Sequence, residues 1–449
     1  MMIKIQSHLY YIYRATSSAA NYFFSRVTSL GILIFLLIPA TLIVFITYYK
    51  LATLYLFSLL CGILVCSVAS VLFRSAKLKI VRELPPMASA GQEITYTIKC
   101  RNLSPRKLVS ALIHDLPVDP RPTRNEFINS REPQEHLRNG FDRLFSYYRW
   151  LWLIKKKTKF QSEPKLLTTI DKFQEITLSM QCTPMQRGRL KFSNAKLYLP
   201  DPLYLLQKCV QVESSIDSIL VLPRRYKLPS LMLEGAARDH LGGLSHSYMS
   251  GVSDDFRGLR PYRPGDSLKH IDWAAWARTG NPTVREFENV FFPRYGLVLD
   301  TNGAYEHLDN FEEAISVAAS FARVVDTQEC LLDFIFLNKG PQTLTVGKGV
   351  ARSEDLLEHL ATLEIEIQPD WASLSKQVLK HSSSFSVCVV IFTQLSDERK
   401  QLVTDWKKAG LNLLIIVLVN DELSNQAVSD IGATPIWINN VQRDLLNML

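Results

Sequence analysis

Two cysteines never stand at C-x-x-C spacing in this 449-residue chain, whose seven cysteines are scattered and show no clustering with histidine at zinc-ligand intervals. That absence leaves no cysteine zinc site, and the scattered thiols fit a reduced, cytosolic face. Also missing are Gly-x-x-x-x-Gly-Lys, Gly-x-Ser-x-Gly and His-Glu-x-x-His strings. P-loop nucleotide binding, an α/β-hydrolase elbow and zinc-peptidase chemistry therefore lack their residues. Charge is missing from two stretches, Leu30 to Tyr48 and Leu51 to Phe73. Each is long enough to cross a hydrocarbon layer as a helix, and continuous apolarity on every face is hard to hide in a water-soluble domain. Pro39 is expected to kink the first span without excluding it.

Orientation follows from the basic residues at the span ends. Lys4, Arg14 and Arg26 precede the first span, Arg74, Lys77, Lys79 and Arg82 follow the second, and Lys50 alone lies between. The positive-inside rule then places both termini in the cytoplasm, as a two-span membrane protein with a short external turn. No small-residue cleavage site separates the runs, so a cleaved signal peptide is not expected. The net charge of +8 is concentrated beside the spans and in one insert, so nucleic-acid binding is not expected. Phe141 to Phe160 interleaves aromatics with Arg143, Arg149 and Lys155 to Lys157. That composition suits either a segment lying on anionic lipid or an ordinary solvated loop.

What is there reads as several modules. Residues 1–29 form a cytosolic N-terminal segment and 30–76 a transmembrane hairpin. Residues 77–222 alternate short strands such as Glu93 to Cys100 and Glu175 to Cys182, the pattern of an all-β sandwich, with an insert at 120–166 and a strand pair expected in Leu103 to Pro117. A connector, 223–294, holds G242-G-L-S-H-S, read as a packed loop. Residues 295–449 alternate strands and helices: strands at Tyr295–Asp300, Cys330–Leu337, Thr343–Val346, Val387–Thr393 and Leu411–Val419, helices at Phe311–Asp326, Glu354–Leu363, Leu374–His381 and Asp397–Ala409. Such alternation marks an α/β doubly wound sheet. Its order looks like a von Willebrand factor A-like domain.

The densest stretch is R260-P-Y-R-P-G-D-S-L-K-H-I-D-W-A-A-W-A-R278, continuing through Val284 to Glu288. Pro261, Pro264 and Gly265 predict an entry turn, and Asp266 or Ser267 a cap for a helix carrying Leu268, Ile271 and Ala275 and closing at Arg278. This string resembles the signature of the bacterial family called domain of unknown function 58. R187-G-R-L-K-F and D201-P-L-Y-L-L resemble the family's Arg-Gly turn and Asp-Pro motif. The chain departs from the pattern at Ala274, where a basic residue is common, at Trp276, where a small one is usual, and at Tyr204, where glycine is frequent and a different turn is therefore expected. The resemblance implies a membrane-anchored protein with an A-type domain and a MoxR-type AAA+ ATPase as partner in complex assembly or envelope stress.

Candidate site residues fall in two groups. Arg260, Tyr262, Arg263, Gly265, Asp266, Asp272, Trp273, Trp276, Arg278 and Glu288 form either an interdomain staple of guanidinium–carboxylate pairs or a partner-docking surface. His270 between Asp266 and Asp272 is read as a surface pair rather than an acid/base unit. The second group sits where ligands bind in doubly wound sheets, beyond the strand ends. There Asp300, Asn302, Thr393 and Asp397 supply oxygens for a divalent cation, but Ala304 and Gln394 stand where ligands would be needed, so neither metal nor cofactor is expected. Asp300 is expected to cap a turn or pair with an arginine. The leading expectation is a non-enzymatic adaptor; the alternative is a metal-dependent ligand-binding protein or enzyme centred on Asp300.

Overall fold

In a computed structural model, the described residues are 2–132, 135, 138–228, 256–287, 294–302, 308–327, 330–338, 340–347, 352–366, 370–419, 428 and 432–447. The glycine-serine part of the connector, Glu288 and Ala304 lie outside them. The chain divides into two compact units, one built on residues 1–224 and the other on most of residues 225–449.

The first unit opens with three helices: α1 (Met2–Phe24), α2 (Ser29–Tyr48) and α3 (Leu51–Phe73). Thr28 caps α2 by accepting the Gly31 N–H at 3.2 Å, and Tyr49, in left-handed conformation, ends it. Both α2 and α3 are long and apolar enough to span a membrane. Gly31 is the buried residue of α2 and Ser67 that of α3; the Leu, Ile, Val and Phe side chains around them point outward.

α1 is an ordered helix rather than a tail. The insert folds into helices at Arg124–Asn129, Gly140–Phe145 and Tyr147–Lys157. Its Phe127, Trp150 and Leu153 form a small core with Tyr10 of α1, and Tyr13 packs beside them. The basic aromatic segment is thus neither a loop nor wholly surface. Arg149 is buried, paired with Glu135 and donating to the Phe127 carbonyl at 3.2 Å. The face away from α1 still exposes Phe141, Leu144 and Leu151.

The β-rich region holds three sheets whose inward residues share one core, including Ile80, Ile98, Ile113, Phe160, Phe192 and Leu197. A buried ion pair ties the sheets. Arg82, on the strand Leu78–Glu83, donates from Nη2 and Nε to Asp115 on Leu112–Leu116 at 2.7 and 3.0 Å, and the Tyr96 hydroxyl donates to the same carboxylate at 2.8 Å. Only Leu112–Leu116 of the expected pair in 103–117 is a strand. Asn102 and Pro105 explain the difference, because the Asn102 amide donates to the Arg106 carbonyl and its oxygen accepts the Ser104 N–H, which holds a turn there.

Beside the helices, the strands Asn194–Pro200 and Gln207–Gln211 pair as a hairpin. Its loop is organised by buried Asp201, which accepts the N–H groups of Leu203, Leu205 and Leu206 at 3.3, 2.7 and 3.0 Å. Tyr204 takes a left-handed φ of 56°, so the turn keeps a geometry that glycine favours even though the side chain is large. The loop and the strand after it then grip the apolar helices. Thr28 N–H donates to the Leu205 carbonyl at 3.1 Å, Gln207 N–H donates to the Arg26 carbonyl at 2.7 Å, and Lys208 Nζ donates to the Arg74 carbonyl at 2.6 Å.

The second unit carries a six-stranded sheet. In spatial order its strands are Pro341–Gly347, Leu331–Leu337, Arg294–Leu299, Val387–Phe392, Leu413–Val419 and Thr434–Trp437. All neighbours are parallel except the antiparallel first strand. The central strands are buried runs such as V387-C-V-V-I-F, as expected where helices cover a sheet. Helices at Leu308–Thr327, Ser353–Thr362, Trp371–Lys380 and Asp397–Lys408 match the expected ones within a few residues, whereas Thr434–Trp437 and the helix Val441–Leu446 had no counterpart in the sequence reading.

A Cβ on Gly31 would lie 2.1 Å from the Leu205 carbonyl oxygen, whereas one on Gly62 would meet nothing within 4 Å. Gly31→Ala is therefore expected to cost about 1–3 kcal/mol. Thermal unfolding of the detergent-solubilised full chain checks this: the midpoint falls for Gly31→Ala and stays for Gly62→Ala, and equal midpoints contradict the close approach.

Candidate functional site

Sheet topology creates one candidate position. Chain order along the sheet reverses between Arg294–Leu299 and Val387–Phe392, and the crevice beyond their carboxyl ends is where ligands settle in such folds. Asp300 and Thr393 follow these two strands directly. Both are buried, and the Thr393 hydroxyl donates to Asp300 Oδ2 at 3.1 Å.

The crevice already holds a cation, the guanidinium of Arg399. Its Nε donates to Asp300 Oδ2 at 2.8 Å, Nη1 donates to the Ser396 hydroxyl at 3.1 Å, and Nη2 donates to the Asn302 carbonyl at 3.4 Å. Arg399 is 2% exposed and lies 5.1 Å from the Trp371 ring centroid. Burial raises the Asp300 carboxyl, against the downward pull of Arg399, the Asn302 N–H and Thr393. Asp397 stands apart, fully exposed at the start of its helix and 3.5 Å from Lys400. Asn302 offers the crevice its backbone oxygen. The donor set does not fit a divalent ion, because the carboxylate faces a fixed positive charge where the metal would lie. Among the described residues no three His, Cys, Asp or Glu side chains come together as ligands.

Sequence reasoning missed Arg399. It lies 99 residues from its partner, and the available signal was an arginine three positions after the helix-capping Ser396.

The signature folds differently from the expected single helix. Phe256–Pro261 and Thr283–Phe287 pair as antiparallel strands, with Arg260 opposite Val284. Between them come a turn, a short 3-10 segment at Leu268–His270, and a helix at Trp273–Thr279. Asp272 is the cap, accepting the Ala275 N–H at 2.9 Å, and Gly280 closes the helix in left-handed conformation. Asp266 instead closes the turn: it accepts the Arg263 N–H at 2.8 Å and both Arg260 amino groups at 2.6 and 2.8 Å. Bridging of Ile271 to Val284 draws the chain back onto the strands before the helix can begin.

These bonds are internal to the hairpin. The Arg260 pair, the Arg263 N–H and the surrounding charges hold the Asp266 carboxyl down at about 2. The pair therefore supports the hairpin above the ordinary carboxylate range and is lost only as pH falls through that value. Arg285 Nε donates to Asp272 Oδ2 at 2.8 Å. Outward-facing groups remain. Trp273 is 65% exposed and stacks on Trp276 with centroids 5.4 Å apart, and Arg278 is exposed, its Nε donating to the Ala274 carbonyl at 3.3 Å. Tyr262 is half-buried and Arg263 and Gly265 are exposed on the turn.

Residues 258–430 match the family described as protein of unknown function DUF58. The chain is also 25% identical over 232 residues to the uncharacterized protein YeaD of Bacillus subtilis (strain 168), across 51% of this chain and 56% of that protein. It thus spans about half the length of this curated relative. Among solved structures, the CARDB domain of the PF1109 protein from Pyrococcus furiosus aligns at 11% identity, TM-score 0.18, over 33% of this chain and 91% of that one. The PapD-like domain 7 of human CEP192 aligns at 11% identity and TM-score 0.16, over 31% and 85%.

Removing Arg399 alone leaves a buried carboxylate without its counter-charge, so Arg399→Ala is expected to destabilise the second unit by about 3–5 kcal/mol. Denaturant unfolding of the full chain measures it. The double variant Asp300→Asn/Arg399→Met recovers much of the loss, and a neutral single variant contradicts the pair.

Proposed function

We propose that this chain, a member of the DUF58 family through residues 258–430, is a non-enzymatic, membrane-anchored interaction protein. The observation that carries the reading is the signature hairpin. Asp266 and Asp272 are engaged within it, while Trp273 and Arg278, side-chain types that dominate interface energetics, are exposed.

The six-stranded sheet is read as von Willebrand factor A-like. Its switch point, filled by Arg399, favours an adaptor over a metal-dependent ligand-binding protein or enzyme. Two apolar helices and the basic residues at their outer ends support a two-span anchor in a bacterial inner membrane with both termini cytoplasmic. That orientation puts the hairpin where an ATP-driven partner works. By family resemblance the partner is a MoxR-type AAA+ ATPase acting in complex assembly or envelope stress.

Co-purification of the full-length chain with that ATPase tests the reading. Trp273→Ala and Arg278→Ala are each expected to cost about 2 kcal/mol of binding, roughly thirtyfold, with membrane insertion intact. Equal recovery of the ATPase from both variants and the parent contradicts docking through the hairpin.

A further inference from the structure

A cavity of about 330 Å³ opens between α1 and the hairpin formed by Asn194–Pro200 and Gln207–Gln211. Ser18, Tyr22, Arg26, Arg121, Lys196 and Gln211 line it, giving three cations with hydroxyl and amide donors. The cations are not equivalent. Arg121 is engaged by Asp119, with Nε and Nη2 donating to its carboxylate at 2.8, 3.0 and 2.7 Å, and it also donates to the Ser18 hydroxyl. Asp119 is correspondingly held below its ordinary range, chiefly by that bond. Arg26 and Lys196 have no carboxylate within ion-pair distance among the described residues. The cavity therefore keeps an uncompensated positive charge.

Its position says what that charge can meet. Arg26 lies three residues before α2 begins, its guanidinium stacked 3.6 Å from the Tyr22 ring centroid and its carbonyl held by the Gln207 N–H. Gln211 ends the strand whose Lys208 reaches the carbonyl of Arg74, just past α3. The segment leading into α2 thus lines the cavity, and the strand that lines its other side also reaches the end of α3. If α2 and α3 cross a bilayer, these ends lie at the headgroup level, where exposed Phe23, Phe24, Leu203 and Tyr204 match an interfacial belt.

We propose that this cavity binds the phosphodiester headgroup of an anionic phospholipid, with Arg26 and Lys196 on the phosphate and Ser18 and Gln211 toward the headgroup hydroxyls. Guanidinium and ammonium groups with adjacent hydroxyl and amide donors are the chemistry such a headgroup needs. The proposal rests on the membrane-anchor reading.

The test is native mass spectrometry of the full-length chain released from nanodiscs of phosphatidylcholine mixed with phosphatidylglycerol. The parent chain is expected to retain a phosphatidylglycerol adduct, and Arg26→Gln and Lys196→Gln to lose it with unchanged thermal unfolding, while Lys196→Arg keeps it. Equal retention in the glutamine variants, or equal retention of phosphatidylcholine, overturns the site. Displacement of the adduct by inorganic phosphate or glycerol phosphate assigns the cavity to a soluble phosphate and overturns the lipid. A carbonate wash separates the two readings: a chain washed off the membrane refutes the anchor, whereas one that stays but carries no adduct refutes only this site.

Discussion

One buried carboxylate governs how the chain passes from apolar helices to folded domain. Asp201 gathers three backbone N–H groups into a loop, and the loop's Leu205 carbonyl then takes the Thr28 N–H at the start of α2. The following strand holds Arg26 before α2 and Arg74 after α3. Without that loop the helical hairpin would keep only the bonds of the following strand to Arg26 and Arg74. With it, the helical hairpin and the β-rich sheets become one cooperative piece, and the absence of a side chain at Gly31 is what lets them meet.

In the second unit the corresponding constraint is the Asp300–Arg399 pair. Doubly wound sheets offer their ligands a crevice at the reversal of strand order, and here a side chain of the protein fills it. A site of this kind gains rigidity and loses vacancy. On the signature hairpin, Asp266 and Asp272 pair with the local Arg260 and Arg285, while Trp273 and Arg278 stay exposed.

Much of this was legible in the sequence, and the reasons differ by element. The two apolar helices were clear because continuous apolarity is a pattern that needs no partner to be seen. The central strands, such as Val387–Phe392, were clear because burial on both faces leaves an apolar run. Less visible was whatever depends on distant chain. α1 reads as an unremarkable segment until Phe127 and Trp150 supply the other half of its core. Arg399 looks like one of several surface charges until Asp300 is placed beside it. In the signature, Asp266 and Ser267 were the expected caps, but Ile271 bridges to Val284 and the helix starts later, capped by Asp272. The strand Thr434–Trp437 is short and contains Pro435, tolerable only because it lies at the sheet edge.

The most direct measurement is site-specific photocrosslinking in cells, with a benzophenone side chain in place of Trp273 in the full-length chain and, as a control, in place of Leu446 at the far end of the chain. The account predicts a discrete adduct from position 273 whose mass-spectrometric fingerprint is a MoxR-type AAA+ ATPase, and none from position 446. Absence of that ATPase from the adducts at position 273, or equal yield from both positions, would contradict the hairpin as a docking surface.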